Sequence, residues 1–164
     1  MGVEKASIAK IARTVGVSRP TFYFHFADKK QLLFELQHRL EAPIVALIQD
    51  SEDFTSSLDA VARGLLRARD SVGSRQLFAD MLLIYAKDSR NVPILMEDQP
   101  LLDALQKKFT VASTRGELRD NLEPNQATLL YLGSLYGFLV GQGNTAEDSD
   151  CLDAMRVISS LFCR

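Results

Sequence analysis

The stretch Ser7-Ile8-Ala9-Lys10-Ile11-Ala12-Arg13-Thr14-Val15-Gly16-Val17-Ser18-Arg19-Pro20-Thr21-Phe22-Tyr23-Phe24-His25-Phe26 decides the fold. Ser7 caps a short helix from Ile8 to about Arg13, with Ile8, Ile11 and Ala12 on one face. Thr14-Val15-Gly16-Val17 makes a tight turn, in which Gly16 supplies the positive φ. Ser18 caps a second short helix, and Pro20 sits in its first turn, where a missing N–H costs little. Two short helices joined by a glycine turn form a helix-turn-helix. Phe22 and Phe26, four residues apart, anchor the second helix inward, which leaves Arg19, Thr21, Tyr23, Phe24 and His25 on or near its outer side. Thr21 and Tyr23 offer hydroxyls to phosphate oxygens or base edges, Arg19 offers charge-assisted bonds, and Phe24 offers an apolar face to thymine methyls. Lys10 opposes the macrodipole of the first helix unless a phosphate lies opposite it. With Ser7, Ser18, Pro20 and Lys29, these are the candidate DNA-contacting residues. A packed basic corner that never meets DNA would show the same pattern.

Outward from this segment, Asp28 and Gln31 make a capping box for a long third helix carrying Leu32, Leu36, Leu40 and Leu47, which Pro43 kinks or ends near Glu41. Further helices are predicted near 54–71, 74–89, 100–115, 124–142 and 151–163. The breaks are Ser71-Val72-Gly73, Asn91-Val92-Pro93, Arg115-Gly116 and Gly143-Asn144-Thr145. Pro124 suits the first turn of its helix and Asp150 caps the last one. β-branched residues show no sustained alternation, so the chain reads as all-α.

Charge is divided unevenly along the 164 residues. Residues 1–40 hold seven Lys or Arg against three Asp or Glu, whereas residues 41–164 hold twelve against eighteen, which together give the net charge of -2. A basic head on an acidic body directs only the head toward a polyanion.

Residues Ser7–Ser18, followed by Thr21-Phe22-Tyr23-Phe24-His25-Phe26-Ala27-Asp28-Lys29-Lys30-Gln31-Leu32-Leu33, strongly resemble the DNA-binding module of the TetR family of transcriptional regulators. Arg115-Gly116-Glu117-Leu118-Arg119 to Pro124 resembles the loop leading into that family's dimerisation helix. The resemblance implies a helix-turn-helix region over residues 1–40, joined by the long helix to a ligand-binding and dimerisation bundle over residues 41–164. It implies a repressor released from a double-stranded DNA operator by a small apolar effector. Family members begin with a basic arm and a first helix packed across the helix-turn-helix. Gly2-Val3-Glu4-Lys5-Ala6-Ser7 looks like the turn after that helix, so the helix is expected to be missing and Ile8, Ile11 and Phe22 to lose part of their cover. The alternative is a truncated TetR-like protein that binds a ligand or dimerises without reading DNA.

In the body, Gly133, Gly137 and Gly141 lie four apart on one helix face. Each costs about 1 kcal/mol of helix propensity relative to Ala, so a close helix crossing should compensate. That crossing is with a second subunit or within the monomer. The last helix is apolar on two sides, with Leu152, Met155, Ser159 and Phe162 on one and Ala154, Ile158 and Leu161 on another. The homodimer interface is expected from the three glycines with Leu152, Met155, Ser159 and Phe162, two helices from each chain making a four-helix bundle. Phe78, Met81, Leu82, Tyr85, Phe109, Tyr131 and Phe138 are the candidate effector-binding residues, since large adaptable side chains with a few hydroxyls suit an apolar molecule. Ordinary core packing is the plainer account of each.

Enzyme readings find little support. The only histidines, His25 and His38, fall in or beside the helix-turn-helix, and there is no phosphate loop, nucleophile elbow or paired-carboxylate motif. No residue set calls for a metal or cofactor, and none is catalytic. Cys151 and Cys163 are twelve apart on one helix, about 120° out of register, so they form neither a metal pair nor a disulfide within it. Sparse cysteine fits a reducing compartment. Glu147-Asp148-Ser149-Asp150 reads as a solvated loop ending in a cap. The longest apolar run, Leu129 to Gly141, falls short of the roughly 20 residues a bilayer requires. With no secretory signal, and Ala6 where a myristoylation signal needs Ser or Thr, a cytoplasmic protein with no membrane partner is expected.

Overall fold

The computed structural model describes residues 7–88, 99–141 and 145–164, with the backbone alone from 85 to 88. Gly2 to Ala6, the Asn91-Val92-Pro93 break, Gln142 and Gly143-Asn144 lie outside the described residues. Eight helices are described: α1 (Ile8–Thr14), α2 (Arg19–His25), α3 (Lys29–Asp50), α4 (Phe54–Ser71), α5 (Arg75–Asp88), α6 (Pro100–Arg115), α7 (Pro124–Gly141) and α8 (Asp148–Ser160).

The chain's punctuation sets most of these limits. Ser7 and Ser18 cap α1 and α2 by accepting from the backbone N–H groups of Lys10 and Thr21 at 3.2 and 3.1 Å, each filling an otherwise orphaned donor position. Gly16, at φ 74°, turns the chain between them. Asp28 accepts from Gln31 N–H at 2.9 Å, while the Gln31 side chain accepts from Ala27 N–H at 2.6 Å, one residue short of a strict capping box. Gly116, left-handed at φ 72°, ends α6, and Glu123 accepts from Asn125 and Gln126 N–H to start α7.

Three expectations need correction. Helix α3 runs through Pro43 to Asp50, so of the two effects expected of Pro43, ending the helix near Glu41 is ruled out. Its buried positions are Phe34, Gln37, Glu41, Ile44 and Ile48. Leu32, Leu36 and Leu40 are only half-buried and Leu47 is exposed. Two polar residues thus hold core positions that a hydrophobicity pattern assigns to leucines. Helix α8 begins three residues before Cys151, at Asp148, after an N-cap at Glu147. The acidic stretch is therefore helix rather than loop. The Asp148 carboxylate accepts from fully buried Arg69 and, at 2.8 Å, from Arg75, whose guanidinium also donates to Ala146 C=O at 2.8 Å. This network ties the start of α8 to α4 and α5.

Helices α3, α4, α6, α7 and α8 enclose one core. Gly64 sits where α4 crosses α3, and a Cβ there would lie 2.7 Å from Ile44 Cγ1, so only glycine permits this approach. The centre is aromatic. Phe109 stacks edge-on against Phe54 at 4.8 Å and lies 5.7 and 5.9 Å from Tyr131 and Phe162. The Tyr131 hydroxyl donates to Leu58 C=O at 3.0 Å and burial raises its pKa, so the phenol stays neutral. The C-terminal residues fasten to the loop after α6 through Arg119 N–H to Phe162 C=O and Arg164 N–H to Glu117 C=O.

Candidate DNA-binding surface and effector cavity

Helices α1 and α2 pack on each other around Ala12 and Phe22, both buried. Phe22 is 5.4 Å from Phe26 and edge-on to Tyr23 at 5.7 Å. Phe22 is thus buried, against the expectation that it would lose part of its cover, while Ile8 and Ile11 are half-buried. With Phe22 turned inward, the rest of α2 faces out. Ser7, Lys10, Ser18, Arg19, Pro20, Thr21, Tyr23, Phe24 and His25 are all exposed, and Lys29 is half-buried. The Thr21 and Ser18 hydroxyls lie 2.7 Å apart, so the cap also orients the Thr21 side chain. No acidic residue occupies the first turn of α1 or α2. Phe24 stands out at 85% exposed, with the His25 ring edge-on at 5.1 Å beside it. A phenyl ring left in water is unfavourable for a monomer and suits a surface that is covered on binding.

The structure divides the candidate effector residues. Phe78, Met81 and Leu82 of α5 are buried around one cavity of about 10 Å³, close to the least that holds a water. Leu40, Ile44, Leu65 and Ala68 complete its apolar walls. Phe109 and Tyr131 do not line it, because they belong to the aromatic centre of the core. Phe138 is half-buried and does not line it either, and the Tyr85 side chain lies outside the described residues.

Besides those four walls, the sequence reading missed the polar lining residues Gln37, Glu41 and Tyr136. Glu41 is 4% exposed, and its Oε1 accepts from Gln37 Nε2 at 2.8 Å and from the Tyr136 hydroxyl at 3.2 Å. The Leu101 N–H, in the first turn of α6, also donates to this carboxylate. It serves α6 where the N-cap residue Gln99 makes no side-chain cap bond. Burial pushes the Glu41 carboxyl above its ordinary range, against the pull of Gln37, Tyr136, His38 and Leu101. A carboxyl that binds its proton more tightly when folded favours the folded state at low pH, and this contribution is lost as pH rises from about 4.5 through the raised value. Glu41→Gln removes it. The melting temperature of the parent relative to Glu41→Gln should therefore fall as pH rises through that window, measured at matched ionic strength. A constant difference would contradict the assignment.

The proposed interface residues also divide. Met155, Ser159 and Phe162 are buried inside the chain, against Tyr131 and Phe109 in the case of Phe162, and so cannot meet a second subunit. Leu152 is half-buried. Gly133, Gly137 and Gly141 are exposed, with nothing within 4 Å of a Cβ added at any of them, so no close crossing among the described residues explains them. Leu129 and Leu130 flank them on α7, and Val157 and Leu161 lie exposed on α8 at 63% and 56%. The open apolar face of α8 is thus the 154/157/158/161 side. Among the described residues no helix is long and apolar enough to cross a membrane.

Residues 1–36 match the family model described as bacterial regulatory proteins, tetR family. An uncharacterized HTH-type transcriptional regulator of Mycobacterium bovis is 26% identical over 161 residues, which span 94% of this chain and 76% of the relative. The fold is similar to that of the fatty acid degradation regulator FadR from Bacillus halodurans, with TM-score 0.73, 15% identity and coverage of 95% and 84% of the two chains. It is also similar to AibR in complex with isovaleryl coenzyme A and operator DNA, with TM-score 0.58, 18% identity and coverage of 93% and 86%. The chain thus carries a tetR-type head over residues 1–36, and as a whole it is similar in sequence to an HTH-type transcriptional regulator and in fold to solved regulators.

Proposed function

We propose that the chain acts as a homodimeric repressor on a roughly palindromic operator and is released by a small effector bound in the body. The exposed outer face of α2, with Phe24 at its centre, carries this reading. Two copies joined through α7 and α8 would set their recognition helices in successive major grooves about 34 Å apart. Residues 1–40 act as the reading head and residues 41–164 as the sensing and dimerising body. Helix α3 belongs to both. It starts at the head with Lys29 and contributes Gln37, Leu40, Glu41 and Ile44 to the cavity walls, about 12–22 Å further along at 1.5 Å per residue. A ligand entering the cavity must part α3 from α5, and a displaced α3 carries the head with it. Affinity for the operator falls because the ligand favours one of two head separations. AibR, similar in fold, has been captured with both a ligand and operator DNA, which supports the same division of labour here.

The residue roles are separable on a panel of operator variants. Lys10→Ala should weaken binding to every sequence and reduce the salt slope by about one. Tyr23→Phe should also weaken it uniformly. Thr21→Ala and Phe24→Ala should instead change preference at particular base pairs, by about 1–3 kcal/mol each. Equal losses on every operator for all four variants would contradict this assignment.

A further inference from the structure

We propose that the effector cavity selects a ligand with a cationic ammonium head on an apolar body, and that Glu41 is the residue that receives the head. The inference rests on the effector reading above and specifies its chemistry. Glu41 is 4% exposed and lines the cavity, whose other walls are apolar apart from Gln37 and Tyr136. Its hydrogen-bond partners, Gln37, Tyr136 and the Leu101 N–H, are neutral donors. No ion pair to it forms among the described residues. His38 acts on it through space, in the direction that favours the charged carboxylate. A carboxylate offers about four acceptor sites and these donors fill three, two of them on Oε1. Among the described residues one acceptor position remains, and no ion pair neutralises the carboxylate in its low-dielectric wall. An ammonium satisfies both, and Phe78 adds an aromatic ring to the same cavity. A carboxylate ligand would place like charges together in the same wall, which is strongly unfavourable. The cavity holds about one water as it stands, so a ligand enters by separating Phe78, Met81 and Leu82 of α5 from Glu41 of α3.

Octylammonium and octanoate share a chain and differ in the sign of the head, so calorimetric titration of the full chain with each reads the selectivity directly. Octylammonium should bind on the order of tenfold tighter or more, and Glu41→Gln should erase the difference. Ala68→Leu fills the cavity from the opposite wall and leaves Glu41 in place, so it should lower octylammonium affinity by a similar factor even if Glu41→Gln folds poorly. Octanoate binding as tightly as the amine, and lost in Ala68→Leu, would overturn the proposal and leave the effector cavity standing. Amine binding that survives Ala68→Leu or keeps its preference in Glu41→Gln places the amine elsewhere and overturns the proposal. Binding of neither probe would overturn the cavity reading together with the proposal.

Discussion

A Leu130→Glu, Val157→Glu double variant is expected to run as a monomer and to lose operator affinity by about a hundredfold or more. Both side chains are exposed on the chain's own surface, at 59% and 63%, so neither supports the monomer core. Surface changes of that kind are usually within about 0.5 kcal/mol of neutral, and the helical circular dichroism should stand. In a bundle of α7 and α8 from two copies, the same positions face each other, and four buried carboxylates would repel. Operator affinity falls because two linked heads gain on the order of 10²–10⁴ over one. Sedimentation at micromolar concentration checks the mass, and anisotropy with a full operator and a half-site checks the affinity. A variant that keeps dimer mass would remove α7 and α8 as the interface.

Phe109→Ala should destabilise the chain by about 3–5 kcal/mol, the range for an aromatic cut from a closed core. Phe109 is 0% exposed and touches rings from three other parts of the chain: Phe54 of α4, Tyr131 of α7 and Phe162 after α8. For a chain of this length the loss corresponds to roughly 6–20 °C in melting temperature. Its purpose is diagnostic. Had Phe109 lined an effector site, its removal would enlarge a pocket and change ligand affinity at modest cost. As a core residue it should instead lower stability steeply, and a loss under about 1 kcal/mol would contradict the packing described.

The two corrected sites show what a sequence does and does not disclose. Helices α4 and α6 were legible to the residue because Asp53, Pro100 and Gly116 punctuate them. Helix α2 was legible because a buried Phe22 fixes its phase. Glu41 and Gln37 were not, since a polar residue in a helix reads as solvated unless its partners are known, and Tyr136 is 95 residues away. Helix α8 failed differently. With apolar residues on two sides its inward face was hard to choose. The face that turns inward carries buried Met155 and Ser159, whose hydroxyl lies 3.3 Å from that of Tyr131, ahead of Phe162 at 5.4 Å from the Tyr131 ring. The three glycines of α7 lie exposed, with no described residue close to any of them, so the crossing expected from their spacing is not made among the described residues.

The most direct test of the regulator reading is the anisotropy of labelled DNA from the region flanking the gene. It is titrated with the 164-residue chain at two salt concentrations and in excess non-specific competitor. Tight binding that weakens with salt yet survives competitor is the expected result, because phosphate contacts supply the salt dependence and base contacts the specificity. Binding abolished equally by any competitor DNA, or no binding at either salt concentration, would contradict it.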